Sequence, residues 1–166
     1  MLEGLESLTV PCVTCYSYML EAIGKNCRNF SELKVLCPLD IEFAESLIKH
    51  IPKLKILSLR CSLVYTEALR CILKGLEYLE VLNLSHSMFF AELDHEGAET
   101  SNILIQRGGE IPAAMDVSRL ERLVACQGET SCFLCQLMLE NPSVGGRGYR
   151  FQEAMWREDE ISSLAH

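Results

Sequence analysis

The 166-residue sequence predicts an α/β solenoid, in which short parallel strands alternate with helices. The first observation behind this prediction is a spacing of apolar residues, apolar-x-x-apolar-x-apolar, that recurs four times. The second is that the intervals between the copies carry apolar residues at helical spacing. The third is an apolar fraction of 49% with a mean hydropathy of +0.14, which indicates a packed core rather than disorder.

The four copies of the apolar spacing predict four short strands. One copy alone is a weak signal because leucine is common, whereas four copies about 25 residues apart are typical of a repeat protein. A single unit cannot bury its apolar residues, so stacked units are expected to turn them inward. These inward positions are Leu5, Leu8, Val10, Phe30, Leu33, Val35, Leu54, Leu57, Leu59, Leu79, Leu82 and Leu84.

Helices are predicted over residues 18–27, 43–51 and 66–76, with Thr66 as the N-cap of the last one. Each unit is then a strand, a turn and a helix. This order and length fit a leucine-rich repeat, at the long end of its range of roughly 20–29 residues. The parallel strands would line the concave face of the solenoid, and the helices would form its convex face.

The residues between the inward positions are expected to point outward from the concave face, in columns that run across neighbouring strands. They carry mixed charge and no convergent catalytic set, which suits recognition of a protein. The alternative for any one of them is that it is solvent-exposed and contributes nothing to binding, because a few positions of an interface carry most of the binding energy. The predicted protein-binding residues are Glu32, Lys34, Leu36, Ile56, Ser58, Arg60, Val81, Asn83 and Ser85.

The sequence divides into three parts: residues 1–88 with about 3.5 repeats, a loop or linker over 89–115, and a C-terminal helical cap and tail over 116–166. Because the chain starts inside the first repeat, we expect a fragment of a longer array or a truncated gene product. Ser118 and Glu121 have the spacing of a capping box. The helix that follows would bury a stripe made of Val117, Leu120, Leu123 and Val124.

The net charge and the cysteine content indicate which classes of partner and which cellular compartment to expect. A formal charge of −8 argues against binding to nucleic acid or to an anionic membrane surface. No apolar run approaches the roughly 20 residues that a membrane helix needs. Nine cysteines, an odd number without a secretory signal, favour reduced thiols in the cytoplasm or nucleus.

Sequence spacing offers one weak metal site and no catalytic one. Cys126, Cys132 and Cys135 could bind zinc, but a fourth ligand is missing, and buried or free thiols are the alternative. A second set of Cys and His side chains occupies equivalent positions in four successive repeats. Neighbouring strands are about 4.8 Å apart, so four side chains on four strands are too far apart to bind one ion. That set is Cys12, Cys37, Cys61 and His86. We therefore expect neither a cofactor nor enzymatic activity.

The repeats resemble plant F-box/leucine-rich-repeat proteins. The resemblance runs through "LKVLCPLDIEFAESLIKHIPKLKILSLRCSLVYTEALRCILKGLEYLEVLNLSHS", and it returns in "SRLERLVACQGETSCFLCQ" and "YRFQEAMWREDEISSLAH". In that family an F-box docks on the Skp adaptor of a cullin-based (SCF) ubiquitin ligase, and the repeats capture the protein to be ubiquitinated. The resemblance implies no cofactor and no chemistry.

This sequence departs from the family pattern in two places. No F-box precedes Leu5, so Skp and cullin are expected as partners only if an F-box lies upstream. The alternatives are a repeat scaffold without an F-box, which binds proteins without delivering them to a ligase, and a zinc-binding tail. The family's repeats also often place Cys or Asn at a position after each strand, where a ladder of side-chain hydrogen bonds forms. Such a ladder is not expected here, because those positions hold Val13, Pro38, Ser62 and Ser87.

Overall fold

The computed structural model describes residues 4–10, 16–35, 37–60, 62–92, 103–106 and 115–125. Within them the chain is a mixed α/β protein with a parallel sheet of five strands and a smaller sheet of three. The elements are β1 (Ser7–Val10), α1 (Tyr16–Asn26), β2 (Glu32–Val35), α2 (Ile41–His50), β3 (Ile56–Ser58), β4 (Leu63–Tyr65), α3 (Thr66–Gly75), β5 (Val81–Asn83), β6 (Met88–Glu92), β7 (Ile103–Gln106) and β8 (Arg122–Val124).

The larger sheet has the strand order β1-β2-β3-β5-β8, with every neighbouring pair parallel. The pairing aligns Ser7 with Glu32, Glu32 with Ile56, and Ile56 with Val81. Each residue is therefore paired with its equivalent one unit further along the chain. The predicted strands and their register are confirmed.

The core lies under this sheet and is made of the residues predicted to point inward. In the second to fourth copies of the apolar spacing, all nine inward residues are at most 4% exposed. Burial of a leucine side chain contributes roughly 1.5–3 kcal/mol, so these positions dominate stability. Leu5 and Leu8 of the first copy are half-buried and pack against the same core.

The three predicted helices are present, with ends within two residues of the prediction. Asp40 caps α2, since its Oδ1 accepts a hydrogen bond of 2.8 Å from the backbone N–H of Phe43. The prediction of Thr66 as an N-cap is wrong, because Thr66 is the first helical residue of α3 and Tyr65 is its cap. Tyr65 already belongs to β4, which holds its backbone extended.

Part of the segment predicted as a loop over 89–115 is strand. β6 pairs in parallel with β4, and β7 pairs antiparallel with β6. Phe89 is fully buried and aligns with Val64, which lies one unit earlier. The short apolar run "MFF" therefore continues the repeat, although the acidic stretch after it hides the period. Residues 93–102 and 107–114 lie outside the described residues.

The prediction of a helix after the capping box at Ser118 and Glu121 is also wrong. β8 occupies this place and aligns Leu123 with Leu82, so Leu120 and Leu123 repeat the apolar spacing of the earlier strands. Ser118 does not cap a helix, because its N–H and its hydroxyl both donate to Oδ1 of Asp116, at 3.1 and 2.6 Å. The rest of the predicted helical cap and tail, residues 126–166, lies outside the described residues.

Candidate functional site

The face of the large sheet that carries the predicted binding residues is only partly open to solvent. Among the predicted residues, the accessible ones are Glu32, Lys34, Ile56 and Val81, which are all half-buried. Three of these four residues form one column across β2, β3 and β5. Leu36 lies outside the described residues.

The expectation of outward exposure is wrong for Ser58, Arg60, Asn83 and Ser85, which are at most 9% exposed. Exposure falls along the column from Thr9 in β1, which is exposed, through half-buried Lys34, to buried Ser58 and Asn83. β3 and β5 have neighbouring strands on both sides, whereas β1 is an edge strand of the described sheet. A short side chain in a central strand is shielded more than its direction alone suggests.

The buried polar residues at the end of β5 form a local turn. Oδ1 of Asn83 accepts hydrogen bonds from the N–H of Ser85 at 3.0 Å and from its hydroxyl at 2.7 Å. The next residue, His86, has a φ of 60°, a left-handed conformation that is uncommon outside glycine. Nδ2 of Asn83 and Oγ of Ser58 have no hydrogen-bond partner. The hydrogen bonds between Asn83 and Ser85 thus stabilise the turn that ends β5.

Charges on the accessible part of the face are paired. Nζ of Lys34 lies 2.9 Å from Oε1 of Glu32, and Lys55 and Glu80 make a similar pair at 2.7 Å before β3 and β5. The hydrogen bond to Glu80 raises the pKa of Lys55. The surface therefore offers apolar Ile56 and Val81 beside neutralised charges, as in protein interfaces with an apolar centre and a polar rim.

Ser87 links two successive units through its side chain. Its hydroxyl donates to the carbonyl of Leu59 at 2.9 Å and accepts from the N–H of Ser62 at 3.3 Å. The expectation that no side-chain ladder follows the strands is therefore wrong at this pair. A serine hydroxyl both donates and accepts, so it can take the place of the Cys or Asn that the family often has at this position.

The contrast between Ser87 and Ser62 gives a stability prediction. Ser87→Ala is expected to lower the free energy of unfolding by about 1–2 kcal/mol, because it leaves two buried backbone groups without partners. Ser62→Ala is expected to be neutral or slightly stabilising, because Oγ of Ser62 is buried without a hydrogen-bond partner. Urea unfolding followed by circular dichroism measures both, and equal losses would contradict the assignment.

The predicted zinc ligands Cys126, Cys132 and Cys135 are not among the described residues. Within the described ranges, no group of three or more His, Cys, Asp or Glu residues could hold a metal ion. Cys27 and Cys37 are buried thiols, and Cys71 is partly exposed. Cys12, Cys61, Cys126, Cys132 and Cys135 lie outside these ranges, so the zinc site stays a prediction.

The fold and this face define an α/β protein of repeated strand–helix units whose accessible sheet surface carries apolar residues and paired charges. In the part of the chain that is described, no helix is both long and apolar enough to span a membrane.

The chain is similar to two plant proteins. An F-box/LRR-repeat protein of Arabidopsis thaliana is 40% identical over 162 residues, which are 98% of this chain and 51% of the relative. A second Arabidopsis thaliana protein, named as an F-box protein, is 26% identical over 148 residues, or 87% of this chain and 39% of its own length. No family model and no solved structure matches the chain. The names of these two plant relatives support an F-box/LRR family for the chain, which spans about half of the first relative and 39% of the second.

Proposed function

We propose that this chain is a leucine-rich-repeat solenoid that captures a protein substrate for an SCF-type ubiquitin ligase. The observation that carries the proposal is the 40% identity to an F-box/LRR-repeat protein along 98% of the chain. The parallel register of equivalent residues in β1, β2, β3 and β5 supports the solenoid. In this proposal the sheet lines the concave face, and the chain binds rather than performs chemistry.

The substrate would dock on the accessible column around Ile56 and Val81. These two half-buried apolar side chains lie on adjacent strands and are aligned by the sheet pairing. The Lys34–Glu32 pair borders them and would contribute specificity more than affinity, because its charges already neutralise each other. The buried residues Ser58 and Asn83 lie beside this surface on the same face of the sheet, two residues further along β3 and β5.

A repeat scaffold without ligase delivery is the alternative function. The chain spans 51% of the F-box/LRR-repeat relative, so attachment to Skp and cullin is a property to be measured on this chain. The tagged chain is isolated from plant cells, and Skp, cullin and other bound proteins are identified by mass spectrometry. Skp and cullin together with a further partner would support the adaptor. A bound partner in the absence of Skp and cullin would support the scaffold function and contradict delivery to a ligase.

The binding surface itself is tested by Ile56→Thr combined with Val81→Thr. Threonine keeps the β-branched shape that suits a strand but removes apolar area, so binding of the isolated partner is expected to weaken by tenfold or more, about 1.4 kcal/mol. Binding is measured by titration with the purified partner. The control is Glu45→Lys on the exposed side of α2, which is expected to leave affinity unchanged.

The thermal midpoint of each variant checks that the sheet is intact. If the double threonine variant melts like the unchanged protein and binds its partner equally well, the substrate does not dock on this column. The same holds if Glu45→Lys weakens binding as strongly as the double variant.

A further inference from the structure

We propose a second docking site, on the helix side of the sheet, where the chain binds an acidic peptide segment of a partner protein that also presents apolar side chains. The site is a cleft of about 520 Å³ between α3 and the segment that leads into β8. Cavities of this size, roughly 300–1,000 Å³, are typical of ligand sites. Its lining among the described residues is Arg70, Leu73, Lys74, Met115, Asp116 and Arg119.

The cleft concentrates positive charge on an acidic protein. Its described lining carries three cationic side chains and one carboxylate, while the whole chain has a formal charge of −8. The carboxylate of Asp116 is already satisfied, because it accepts two hydrogen bonds from Ser118. These bonds, with the nearby charge of Arg119, lower the pKa of Asp116. The cleft therefore attracts a negatively charged group despite the overall charge.

The cations differ in how firmly they are held. The guanidinium of Arg119 donates to the carbonyl of Leu73 in the last turn of α3, which fixes its position and leaves further N–H donors of its fork. Lys74 is exposed and makes no ion pair within the described residues. Arg70 pairs with Glu67 on the same helix, where both side chains are at least 41% exposed. Such an exposed pair is weak and can be exchanged for a ligand carboxylate.

The apolar side chains that line the cleft favour a peptide over a nucleic acid as its ligand. Leu73 and Met115 line it, and each is at most 9% exposed in the protein as a whole. A nucleic acid carries a regular row of phosphate charges, and the three cations of the described lining, on a protein of net negative charge, match such a row poorly. A peptide that carries glutamate beside leucine matches both the cations and the apolar lining.

Comparison with α2 shows that the charge is particular to α3. Lys49 occupies the place in α2 that Lys74 occupies in α3, since each is the ninth residue of a ten-residue helix. The place of Arg70 is taken by Glu45 in α2. The cation pair separated by one helical turn therefore occurs on α3 and not on α2. Lys49→Glu is accordingly a control matched in helix position, exposure and charge.

Fluorescence anisotropy with a labelled ten-residue peptide of alternating Glu and Leu tests the site in the whole chain. We expect saturable binding, weakened about tenfold by Lys74→Glu and less than twofold by Lys49→Glu. A labelled peptide of alternating Lys and Leu is expected not to bind. Arg70→Glu, a second variant at a partly exposed position, is expected to weaken binding of the acidic peptide, as Lys74→Glu does.

Each other outcome would overturn the proposal. Equal weakening by Lys74→Glu and Lys49→Glu would mean general electrostatic attraction without a site. Displacement of the peptide by 10 mM phosphate would mean a simple anion site, and tighter binding of a ten-nucleotide single-stranded DNA would mean a nucleic-acid site. This cleft lies apart from the sheet residues of the proposed ligase function, so either can fail while the other stands.

Discussion

Phe43→Ala is expected to lower the free energy of unfolding by about 3–5 kcal/mol, the largest effect of any substitution considered for this chain. Phe43 is fully buried in the first turn of α2. Its ring meets the ring of Tyr16 edge to face, with centroids 4.9 Å apart and planes at 79°. Alanine would remove both the buried area and the ring contact between α1 and α2. Chemical unfolding followed by circular dichroism measures the loss.

Two further variants separate the causes of this loss. Phe43→Leu keeps most of the volume and is expected to cost about 1–2 kcal/mol, so it remains folded if the alanine variant does not. Tyr16→Phe keeps the ring contact and removes only the 3.4 Å hydrogen bond from the hydroxyl to Glu42, so it should change stability little. The pKa of this hydroxyl is raised, first by burial and then by Asp40 and Glu42. A loss below 1 kcal/mol for Phe43→Ala would contradict the assignment of this ring to the core.

The register of the large sheet could be predicted from the sequence because the side chains alternate between its two faces. A shift of one residue would expose Leu33, Leu57 and Leu82, which are all fully buried. The spacing of about 25 residues between copies then leaves one way to align the strands. For that reason the pairings of Glu32 with Ile56 and of Ile56 with Val81 follow from the pattern alone.

The identity of the elements after β5 could not be predicted in the same way. Leu120 and Leu123 are three residues apart, which fits a helix face as well as the apolar spacing of a strand. What decides between them is the free edge of β5, which aligns Leu82 with Leu123. The corresponding signal in the sequence is the "LERLVA" that repeats the order of "LEVLNL", although 41 residues separate Leu79 from Leu120.

The solvent exposure of the predicted binding residues could not be derived from the sequence pattern, for a different reason. Alternation gives the face on which Ser58 and Asn83 lie, and the sheet pairing confirms that they are aligned. Alternation does not show how far larger neighbouring side chains cover a short one, so the burial of Ser58 and Asn83 could not be predicted. The hydrogen bonds of Ser87 do not follow from the family's preference for Cys or Asn at this position, because a serine hydroxyl can both donate and accept here.

Gly24→Ala is expected to lower the free energy of unfolding by about 2–3 kcal/mol, although alanine is intrinsically better than glycine in a helix by about 1 kcal/mol. A Cβ at this position in α1 would overlap the carbonyl oxygen of His50, with the carbonyl carbon at 3.1 Å. The obstacle is backbone at the end of α2, so the two helices must separate. Urea unfolding measures the change, and a gain in stability would mean that the helices are not packed this closely.

Gly75→Ala provides the matched comparison, at the contact between α3 and α2. Its Cβ would lie 2.5 Å from Cδ1 and 2.8 Å from Cγ1 of Ile48, which belong to a half-buried side chain. A side chain can rotate away where a carbonyl cannot, so the loss should be smaller than for Gly24→Ala, about 1 kcal/mol. Ile48→Val should recover part of it when combined with Gly75→Ala. If the two glycine variants lose equal stability, the distinction between a backbone and a side-chain obstacle does not hold in this helix layer.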